Sequence, residues 1–306
     1  MLKKLFQSFR LPLRRLPHPR RTPEILSSRQ HSLHRNDLSR HAVSVVERLQ
    51  HAGYEAYVVG GCVRDLLLDL EPKDYDVATS ATPEQVRAEF RNARVIGRRF
   101  KLVHVHFGRE IIEVATFRAN HPEEDDDEPN HLASRNESGR ILRDNIYGTL
   151  EDDAQRRDFT INALYYDPSS ERILDHTHGV HDIRNRLIRL IGDPEQRYQE
   201  DPVRMLRAVR FAAKLDFEIE KHSAEPIADL ADLLNDVPSA RLFDEIIKLF
   251  LSGKAERTFD LLLEYDLFAP LFPASADALE DNPEYAGTLI RNALANTDLR
   301  IAQGKP

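Results

Sequence analysis

The fold of this chain is decided by the stretch Gly60-Gly61-Cys62-Val63-Arg64-Asp65, which is followed by Asp74-Tyr75-Asp76-Val77. The apolar segment Tyr54–Val59 predicts a short buried strand that runs directly into the two glycines. Because glycine has no side chain, Gly60-Gly61 lets the backbone approach a triphosphate closely. Arg64 follows at the start of a predicted helix, where its guanidinium can contact the phosphates.

The second part of this stretch contains the paired aspartates Asp74 and Asp76. Residues two apart on a strand point to the same face, so the two carboxylates would lie side by side. Like charges at that spacing are unfavourable unless a cation lies between them. Mg²⁺ typically binds one or two carboxylates together with substrate phosphates. An isolated Asp-x-Asp is typical of a surface loop, but beside Gly60-Gly61 it predicts a magnesium and nucleotide site.

A third catalytic carboxylate is expected where metal ions help an oxygen to attack a phosphoryl group. Glu113 is one candidate, because an acidic residue within the apolar strand Ile111–Phe117 is costly without a partner. Asp158, within the segment Arg156–Ala163, is the other. A salt-bridged glutamate and a structural aspartate are the ordinary explanations for such residues. The sequence leaves the choice between Glu113 and Asp158 open.

The segment Glu200–Arg210 predicts a helix with arginines at positions 204, 207 and 210. Steps of three residues place them on one slanting ridge of a helix. Asp201 and Arg204 are three residues apart, and together they offer the acceptor and donors that could read the edge of a base. A solvated ion pair is the simpler explanation for the same spacing.

The composition restricts the class of protein. The 306 residues suffice for two domains, and the single cysteine, Cys62, excludes both a disulfide framework and a cysteine-built zinc site. No apolar run reaches the roughly 18 residues that span a bilayer. The net charge of −8 is unusual for a protein that binds RNA, yet residues 1–40 carry ten basic and two acidic residues.

We expect three regions along the chain. Residues 1–36 form a basic, proline-punctuated arm without a secretory h-region, which is either disordered or in weak contact with RNA or an anionic membrane. Residues 37–197 alternate helices and strands, as in an α/β domain, with a mobile acidic loop at 119–140. Residues 198–306 are expected to be all-helical. A cytoplasmic location, with peripheral attachment to the inner membrane as an alternative, fits this organisation.

Several elements within these regions have clear sequence signals. Residues 37–53 predict a helix, and Thr82-Pro83-Glu84-Gln85 predicts the start of another with a capping box. Leu102–Gly108 and Ile111–Phe117 predict a β-hairpin. In the second half, amphipathic patterns predict helices at 200–215, 223–235, 239–252 and 255–266.

Taken together, these blocks resemble the class II nucleotidyltransferase family, which contains bacterial poly(A) polymerases and CCA-adding tRNA nucleotidyltransferases. The resemblance covers roughly residues 37–300 and implies an α+β head with a small mixed sheet, followed by an all-helical neck. It implies that nucleotide and metal are held by Gly60, Gly61, Arg64, Asp74 and Asp76. It also implies further nucleotide contacts from Arg157 and Asn162, base selection by Asp201 and Arg204, and support from Arg207 and Arg210.

Within the family, three stretches resemble the poly(A) polymerase branch: residues 97–118, Arg143–Ile146 and Ala240–Phe243. That branch implies transfer of AMP from ATP to RNA 3′ ends with Mg²⁺ as cofactor. Addition of CCA to tRNA is the alternative activity, and a non-catalytic RNA-binding relative is a further alternative. A sugar-nucleotide transferase that uses Asp-x-Asp does not account for the Arg-Arg-Asp-Phe-Thr block.

The chain departs from the family pattern in two places. The segment Asp175–Gly179 has one glycine where the family usually has two, at a turn that acts as a hinge. The chain also ends where relatives continue into further helices and a basic tail, which we interpret as either a truncation or a short form with a weaker grip on RNA.

Overall fold

The computed structural model describes residues 22–97, 101–119, 133–135, 141–144 and 146–305. Its strands are β1 (Glu24–Leu26), β2 (Ala56–Val59), β3 (Asp76–Thr79), β4 (Ala93–Ile96), β5 (Leu102–Phe107), β6 (Glu110–Thr116), β7 (Ala133–Arg135), β8 (Ile141–Asp144), β9 (Leu164–Asp167), β10 (Arg172–Asp175), β11 (Leu187–Ile188) and β12 (Glu218–Ile219). Its α-helices are α1 (Arg40–His51), α2 (Gly61–Leu67), α3 (Pro83–Glu89), α4 (Leu150–Arg156), α5 (Gly179–Arg184), α6 (Pro194–Glu200), α7 (Val203–Leu215), α8 (Lys221–Ala224), α9 (Ser239–Phe250), α10 (Ala255–Glu264), α11 (Phe268–Leu271), α12 (Pro273–Asp281) and α13 (Pro283–Ala302).

The main sheet of the head is mixed, as the family resemblance implies. Its eight strands are ordered β1-β10-β9-β2-β3-β6-β5-β4. Only β3 and β6 run parallel within it, and every other neighbouring pair is antiparallel. The predicted hairpin is confirmed as β5 and β6.

The two faces of this sheet are covered differently. Helices α1 and α3 pack on one face, where Val46, Val86 and Ile112 belong to the large hydrophobic core. On the other face, Leu150 and Ala154 of α4 cover a smaller apolar cluster. Because α4 covers only part of that face, Asp76 remains exposed and Glu113 half-buried beside it.

Local signals in the sequence account for the helix starts. Ser39 caps α1, which spans the predicted apolar periodicity. At α3, the Gln85 amide donates to the Thr82 hydroxyl at 3.3 Å, and the Thr82 amide donates to the Gln85 side chain at 2.8 Å. Pro83 occupies the first turn. The predicted capping box is therefore confirmed.

The helical region follows the predictions in part. Helices α7, α9 and α10 lie where the sequence predicts them. The predicted helix at 223–235 is wrong, since Pro226 lacks the amide that would continue α8 and the chain proceeds through turns into a 3₁₀ segment, Ala231–Asp236. The region is also not entirely helical, because β12 pairs with β11.

Described structure begins before Asp37, at strand β1, which corrects the predicted boundary of the basic arm. Strand β1 extends the sheet by pairing with β10, because Leu26 and Leu33 can be buried against the core. Residues 1–21 lie outside the described residues, and their contact with RNA or a membrane stays a prediction. No helix in the described ranges has the length and apolar character needed to cross a bilayer.

The predicted mobile loop at 119–140 falls largely outside the described residues. Within that range the structure describes β7, which pairs with β8 in a separate two-stranded antiparallel sheet. The sequence did not predict this pairing.

The turn after β10 forms with a single glycine. The Asp175 carboxylate accepts the amides of Thr177, Gly179 and Val180 at 2.9 to 3.0 Å. His178 adopts the left-handed conformation with φ of 63°, which a glycine would take more readily. A Cβ on Gly179 would lie 2.1 Å from the Thr160 carbonyl oxygen, so this position requires glycine.

Candidate active site

The parallel pairing of β3 with β6 brings two predicted catalytic carboxylates together. Asp76 and Glu113 are register partners at this pairing, so their side chains project from neighbouring strands on the same face. Asp74 is exposed and lies two residues before β3, not on the strand as predicted. Its carboxylate nevertheless contributes to the electrostatic environment of Asp76.

The glycine turn lies next to this pair. Gly60 has φ of 85°, a left-handed conformation that favours glycine. A Cβ at Gly60 would be 3.5 Å from Nη1 of Arg157 and 4.0 Å from Oδ2 of Asp76. The bare backbone of the turn, one carboxylate and one guanidinium therefore converge on the same space.

The carboxylates at this edge repel one another. The pKa of Asp76 is raised to about 6. The largest cause is the loss of hydration to nearby protein atoms, which acts although the side chain is exposed. The negative charges of Glu113 and Asp74 raise the pKa further. The positive charge of Arg157 acts in the opposite direction. A hard cation such as Mg²⁺ binds favourably to oxygen ligands that carry excess negative charge.

The described residues do not form a closed metal cage. Within those ranges, no three His, Cys, Asp or Glu side chains are grouped so that they could hold a metal ion among them. A cation at Asp76 and its neighbours would therefore complete its shell with water and substrate oxygens, as Mg²⁺ commonly does.

Arg157 is held by partners that the sequence analysis missed. Asp153 accepts from the Arg157 guanidinium at 3.1 and 3.2 Å and from the Tyr165 hydroxyl at 2.7 Å. The second guanidinium edge donates to the Asn162 carbonyl oxygen at 3.3 Å. Burial alone would lower the pKa of Arg157, but Tyr165 and Asp153 raise it, so the group stays charged beside Gly60. The four-residue spacing between Asp153 and Arg157 is the feature of the sequence from which this ion pair could have been predicted.

Arg64 occupies a different place from the predicted phosphate contact. It is 3% exposed, and its guanidinium donates to Asp65 at 2.6 and 2.8 Å and to Oδ1 of Asn162 at 2.5 Å. Lys214 of α7 reaches the other oxygen of Asp65 at 3.2 Å. In this structure Arg64 and Asn162 are buried next to the glycine turn and are bonded to each other.

Asp158 lies apart from the carboxylates of β3 and β6. It accepts from Nε of Arg207 at 2.7 Å, from the Phe159 amide at 2.8 Å and from Nδ2 of Asn162 at 3.2 Å. Burial alone would raise its pKa, but the charge and hydrogen bonds of Arg207, with the other donors, lower it to about 2. Of the two candidates for the third carboxylate, Glu113 is therefore the one that accompanies Asp76.

The predicted base-reading pair is arranged by neighbouring residues. Asp201 accepts from Arg241 of α9 at 2.7 Å. Arg204 donates to Glu200 at 3.2 Å and to the Arg197 carbonyl oxygen at 2.7 Å. The side chains of Asp201 and Arg204 thus each bond to a third group and not to one another.

The arginine ridge of α7 is confirmed as a structural feature. The guanidinium groups of Arg207 and Arg210 lie 5.5 and 4.6 Å from the centre of the Phe211 ring, and that of Arg64 lies 5.0 Å from it. Arg210 also pairs with the buried Glu245 at 2.7 Å. The ridge therefore packs helix α7 against the head and against α9.

Arg197 connects the two halves of the site and was not predicted. Its guanidinium donates to the carbonyl oxygens of Arg156 and Arg157 at 2.7 and 2.8 Å, and to Glu200 at 2.9 Å. Glu200 is also the partner of Arg204. Sequence spacing signals only the local pair between Arg197 and Glu200, because contacts with main-chain carbonyls of a distant segment leave no periodic pattern.

Glu113 also has a neighbour on the adjacent strand. His104 of β5 is its register partner, and Nε2 of His104 lies 3.3 Å from Oε2 of Glu113. His104 and His106 alternate along β5, and this alternation in the sequence gives no sign of a cross-strand contact with a carboxylate.

Comparison with known proteins agrees with this architecture. Residues 56–189 match the family described as "Poly A polymerase head domain", and residues 216–279 match that described as "Probable RNA and SrmB- binding site of polymerase A". The chain is 52% identical over 280 residues to poly(A) polymerase I of Haemophilus influenzae and 54% identical over 278 residues to that of Salmonella typhimurium. These alignments cover 91% and 90% of this chain but 61% and 59% of the relatives' length.

CCA-adding enzymes are also similar, at lower identity. The enzyme of Lactobacillus helveticus is 37% identical over 246 residues, which is 80% of this chain and 56% of that protein. Among solved structures, the Bacillus stearothermophilus CCA-adding enzyme in complex with CTP superposes with a TM-score of 0.64 at 28% identity, covering 87% of this chain and 78% of that one. The chain therefore belongs to the nucleotidyltransferase family that includes bacterial poly(A) polymerases and CCA-adding enzymes.

Proposed function

We propose that this chain transfers AMP from ATP to the 3′ end of RNA, as the nucleotidyltransferase part of a bacterial poly(A) polymerase. The observation that carries the proposal is the register pairing of Asp76 with Glu113 beside the bare turn at Gly60. Identity of 52% and 54% to poly(A) polymerases I supports ATP as the donor and RNA as the acceptor.

The side chains at this edge divide the work of the reaction. The backbone of Gly60 and Gly61 and the guanidinium of Arg157 bind the triphosphate, because they offer unobstructed amides and a permanent positive charge. Asp76 supplies an oxygen ligand for Mg²⁺, with Asp74 and Glu113 as the neighbouring carboxylates whose repulsion such a cation would relieve, and water and substrate oxygens complete the shell. Bound magnesium would favour ionisation of the attacking 3′-hydroxyl and offset the charge of the phosphates.

The helical region selects the base. Asp201 and Arg204 offer an acceptor and donors, which are the groups that reading of a base edge requires. Arg207 and Arg210 support them by fixing α7 against Asp158 and Glu245. Because Arg241 and Glu200 hold the two reading side chains in place, the pair keeps one arrangement and favours adenine over other bases.

The test is incorporation of each of the four nucleoside triphosphates, offered separately, into a generic single-stranded RNA with and without Mg²⁺. We expect repeated addition from ATP, little addition from the other three, and none without the metal. Equal use of all four triphosphates, or extension that does not need a divalent cation, would contradict the proposal.

CCA addition is the second candidate, favoured by the similarity to CCA-adding enzymes. Its test uses a tRNA that lacks its terminal CCA, with labelled CTP or ATP. Efficient incorporation of CTP followed by arrest after three nucleotides would establish this activity in place of polyadenylation. A Mg²⁺-dependent gain of length on either RNA would exclude a non-catalytic RNA-binding role.

A further inference from the structure

A cleft of about 350 Å³ opens on the face of the sheet that carries the carboxylates. Its floor is apolar and consists of Leu102 of β5 and Ala115 of β6. Glu113 forms one side, and Arg118, Arg156 and Arg157 lie around the rest, together with Asp153. Small-molecule sites typically have volumes of roughly 300 to 1,000 Å³, so this cleft has room for a compact group such as a single nucleotide.

The strand order places this cleft on the far side of the carboxylates from the glycine turn. Gly60 follows β2, Asp76 begins β3, Glu113 is on β6, and the cleft continues from β6 to β5. Arg157 belongs to both sides, because it lines the cleft and also lies next to Gly60. A group in the cleft and a triphosphate at the turn would therefore meet across Asp76 and Glu113.

The lining has the chemistry of a site for a nucleotide within RNA. Three guanidinium groups and two carboxylates surround the cleft, and Asp153 is itself 5% exposed and bonded to Arg157. The lining thus has an excess of positive charge, in a chain whose net charge is −8. Arginine binds phosphate oxygens through paired donors, and an apolar floor suits the apolar face of a ribose or base.

We propose that this cleft holds the 3′-terminal nucleotide of the RNA, with the phosphodiester that precedes it against Arg156 and Arg118. The inference rests on the proposed nucleotidyl transfer and specifies where the acceptor enters. It places the 3′-hydroxyl beside Glu113 and within reach of a triphosphate held at Gly60. Reacting atoms must approach to about 3 to 3.5 Å, and the shared edge of β3 and β6 allows that approach.

The first experiment varies RNA and ATP separately in the Arg156→Ala variant. We expect the KM for RNA to rise on the order of tenfold, because a charged hydrogen bond to phosphate is lost, while the KM for ATP stays unchanged. The dependence of RNA affinity on salt should fall by about one counterion. Arg118→Ala should act in the same direction.

Arg87→Ala is the matched control. Arg87, like Arg156, is a basic residue in the last turn of a seven-residue helix, but it is exposed on α3, which packs on the opposite face of the sheet. The Arg87→Ala substitution removes the same charge from the protein as Arg156→Ala, and we expect it to leave the KM for RNA and the KM for ATP unchanged. Equal effects of the Arg156 and Arg87 substitutions would overturn the inference.

The second experiment changes the RNA. A primer with a neutral methylphosphonate in place of its last phosphodiester should bind wild-type protein more weakly than the ordinary primer. In Arg156→Ala the penalty for the methylphosphonate should be smaller than in wild type, because part of the interaction with that phosphate is already lost and the two effects are then not additive. Fully additive effects would contradict the contact.

Fluorescence anisotropy of labelled primers, measured without ATP, tests RNA binding at the cleft separately from catalysis. Failure of wild-type protein to extend RNA with any triphosphate would refute the proposed function, yet binding of the two primers would still test the cleft. A rise in the KM for ATP alone in Arg156→Ala would show that the cleft holds the triphosphate and not the RNA end.

Discussion

Two groups of acidic side chains in this molecule have opposite electrostatic surroundings. At the open edge, formed by Asp74, Asp76 and Glu113, neighbouring carboxylates repel one another and the pKa of Asp76 is raised to about 6. At the junction between the head and the helical region, Asp158, Glu200, Asp201 and Glu245 each bond to an arginine. There the pKa of Asp158 is lowered to about 2, because Arg207 outweighs the effect of burial.

The carboxylates of the open edge are suited to chemistry, and those of the junction stabilise the fold. Repulsion that the protein leaves uncompensated costs stability, and it is kept where a ligand can relieve it. The ion pairs at the junction fix the orientation of α7, and the arginines offset the negative charge that would attract a metal ion.

Asp76→Asn should reduce nucleotide incorporation on the order of a thousandfold or more, because it removes a charged oxygen from the place where positive charge is required. The same change should raise the melting temperature of the metal-free protein. An acid whose pKa is raised on folding loses stability as pH rises through the interval from 3.8 to about 6, so the gain should be present at pH 8 and absent near pH 4. Steady-state kinetics and thermal unfolding at the two pH values check both parts. Wild-type rates of incorporation by the Asp76→Asn variant would refute a catalytic role for Asp76.

Asp158→Asn should destabilise the protein by about 2 to 4 kcal/mol at pH 7, because Arg207 is left without its charged partner. A carboxyl whose pKa is lowered on folding stabilises the fold above its ordinary pKa of 3.8, and that contribution is lost as pH falls toward about 2. The difference from wild type should therefore shrink over this interval in denaturant titrations.

The control for Asp158 is Asp216→Asn. Asp216 also pairs with an arginine, Arg186 at 2.9 Å, but both side chains are largely exposed and the pair is screened by solvent. We expect little change in stability. Equal losses in the two variants would mean that the junction pair is an ordinary surface contact.

Arg197→Lys should weaken the link between Arg157 and Arg204 without removing positive charge. Lysine cannot donate to two carbonyl oxygens and a carboxylate in the fixed geometry of a guanidinium. The preference for ATP over CTP should fall on the order of tenfold, because loss of hydrogen bonds to a charged donor loosens both halves of the site. Competition between labelled triphosphates measures the preference.

Arg184→Lys is the control for Arg197, since Arg184 donates to a single carbonyl oxygen, that of Gln30, at an exposed position. Its nucleotide preference should match wild type. If Arg197→Lys lowers the melting temperature with no change in preference, Arg197 is a structural residue only.

Millimolar Mg²⁺ should raise the melting temperature of the wild-type protein by about 2 to 4 °C, because a ligand that binds only the folded state stabilises it. The Asp76→Asn protein should show no such rise. Thermal unfolding with and without the metal gives the result, and an equal rise in both proteins would assign the effect to another site.

Short-range patterns in the sequence account for the local structural elements of this protein. The capping box at Thr82, the hairpin of β5 and β6, the glycine turn and the arginine ridge of α7 follow from spacing over a few residues, where periodicity and side-chain type are sufficient. The same local signals indicated that Asp74 and Asp76 belong together with Gly60 and Gly61.

Contacts between groups that are far apart in the chain are established by folding and cannot be read from short-range patterns. The parallel pairing of β3 with β6 selects Glu113 over Asp158 as the companion of Asp76, because strand order depends on the packing of the whole sheet. The burial of Arg64 and the three bonds of Arg197 likewise join segments far apart in the chain, and no local pattern encodes such contacts. The pairing of β1 with β10 likewise joins distant segments, because so short a strand is stable only when it is paired with a larger sheet.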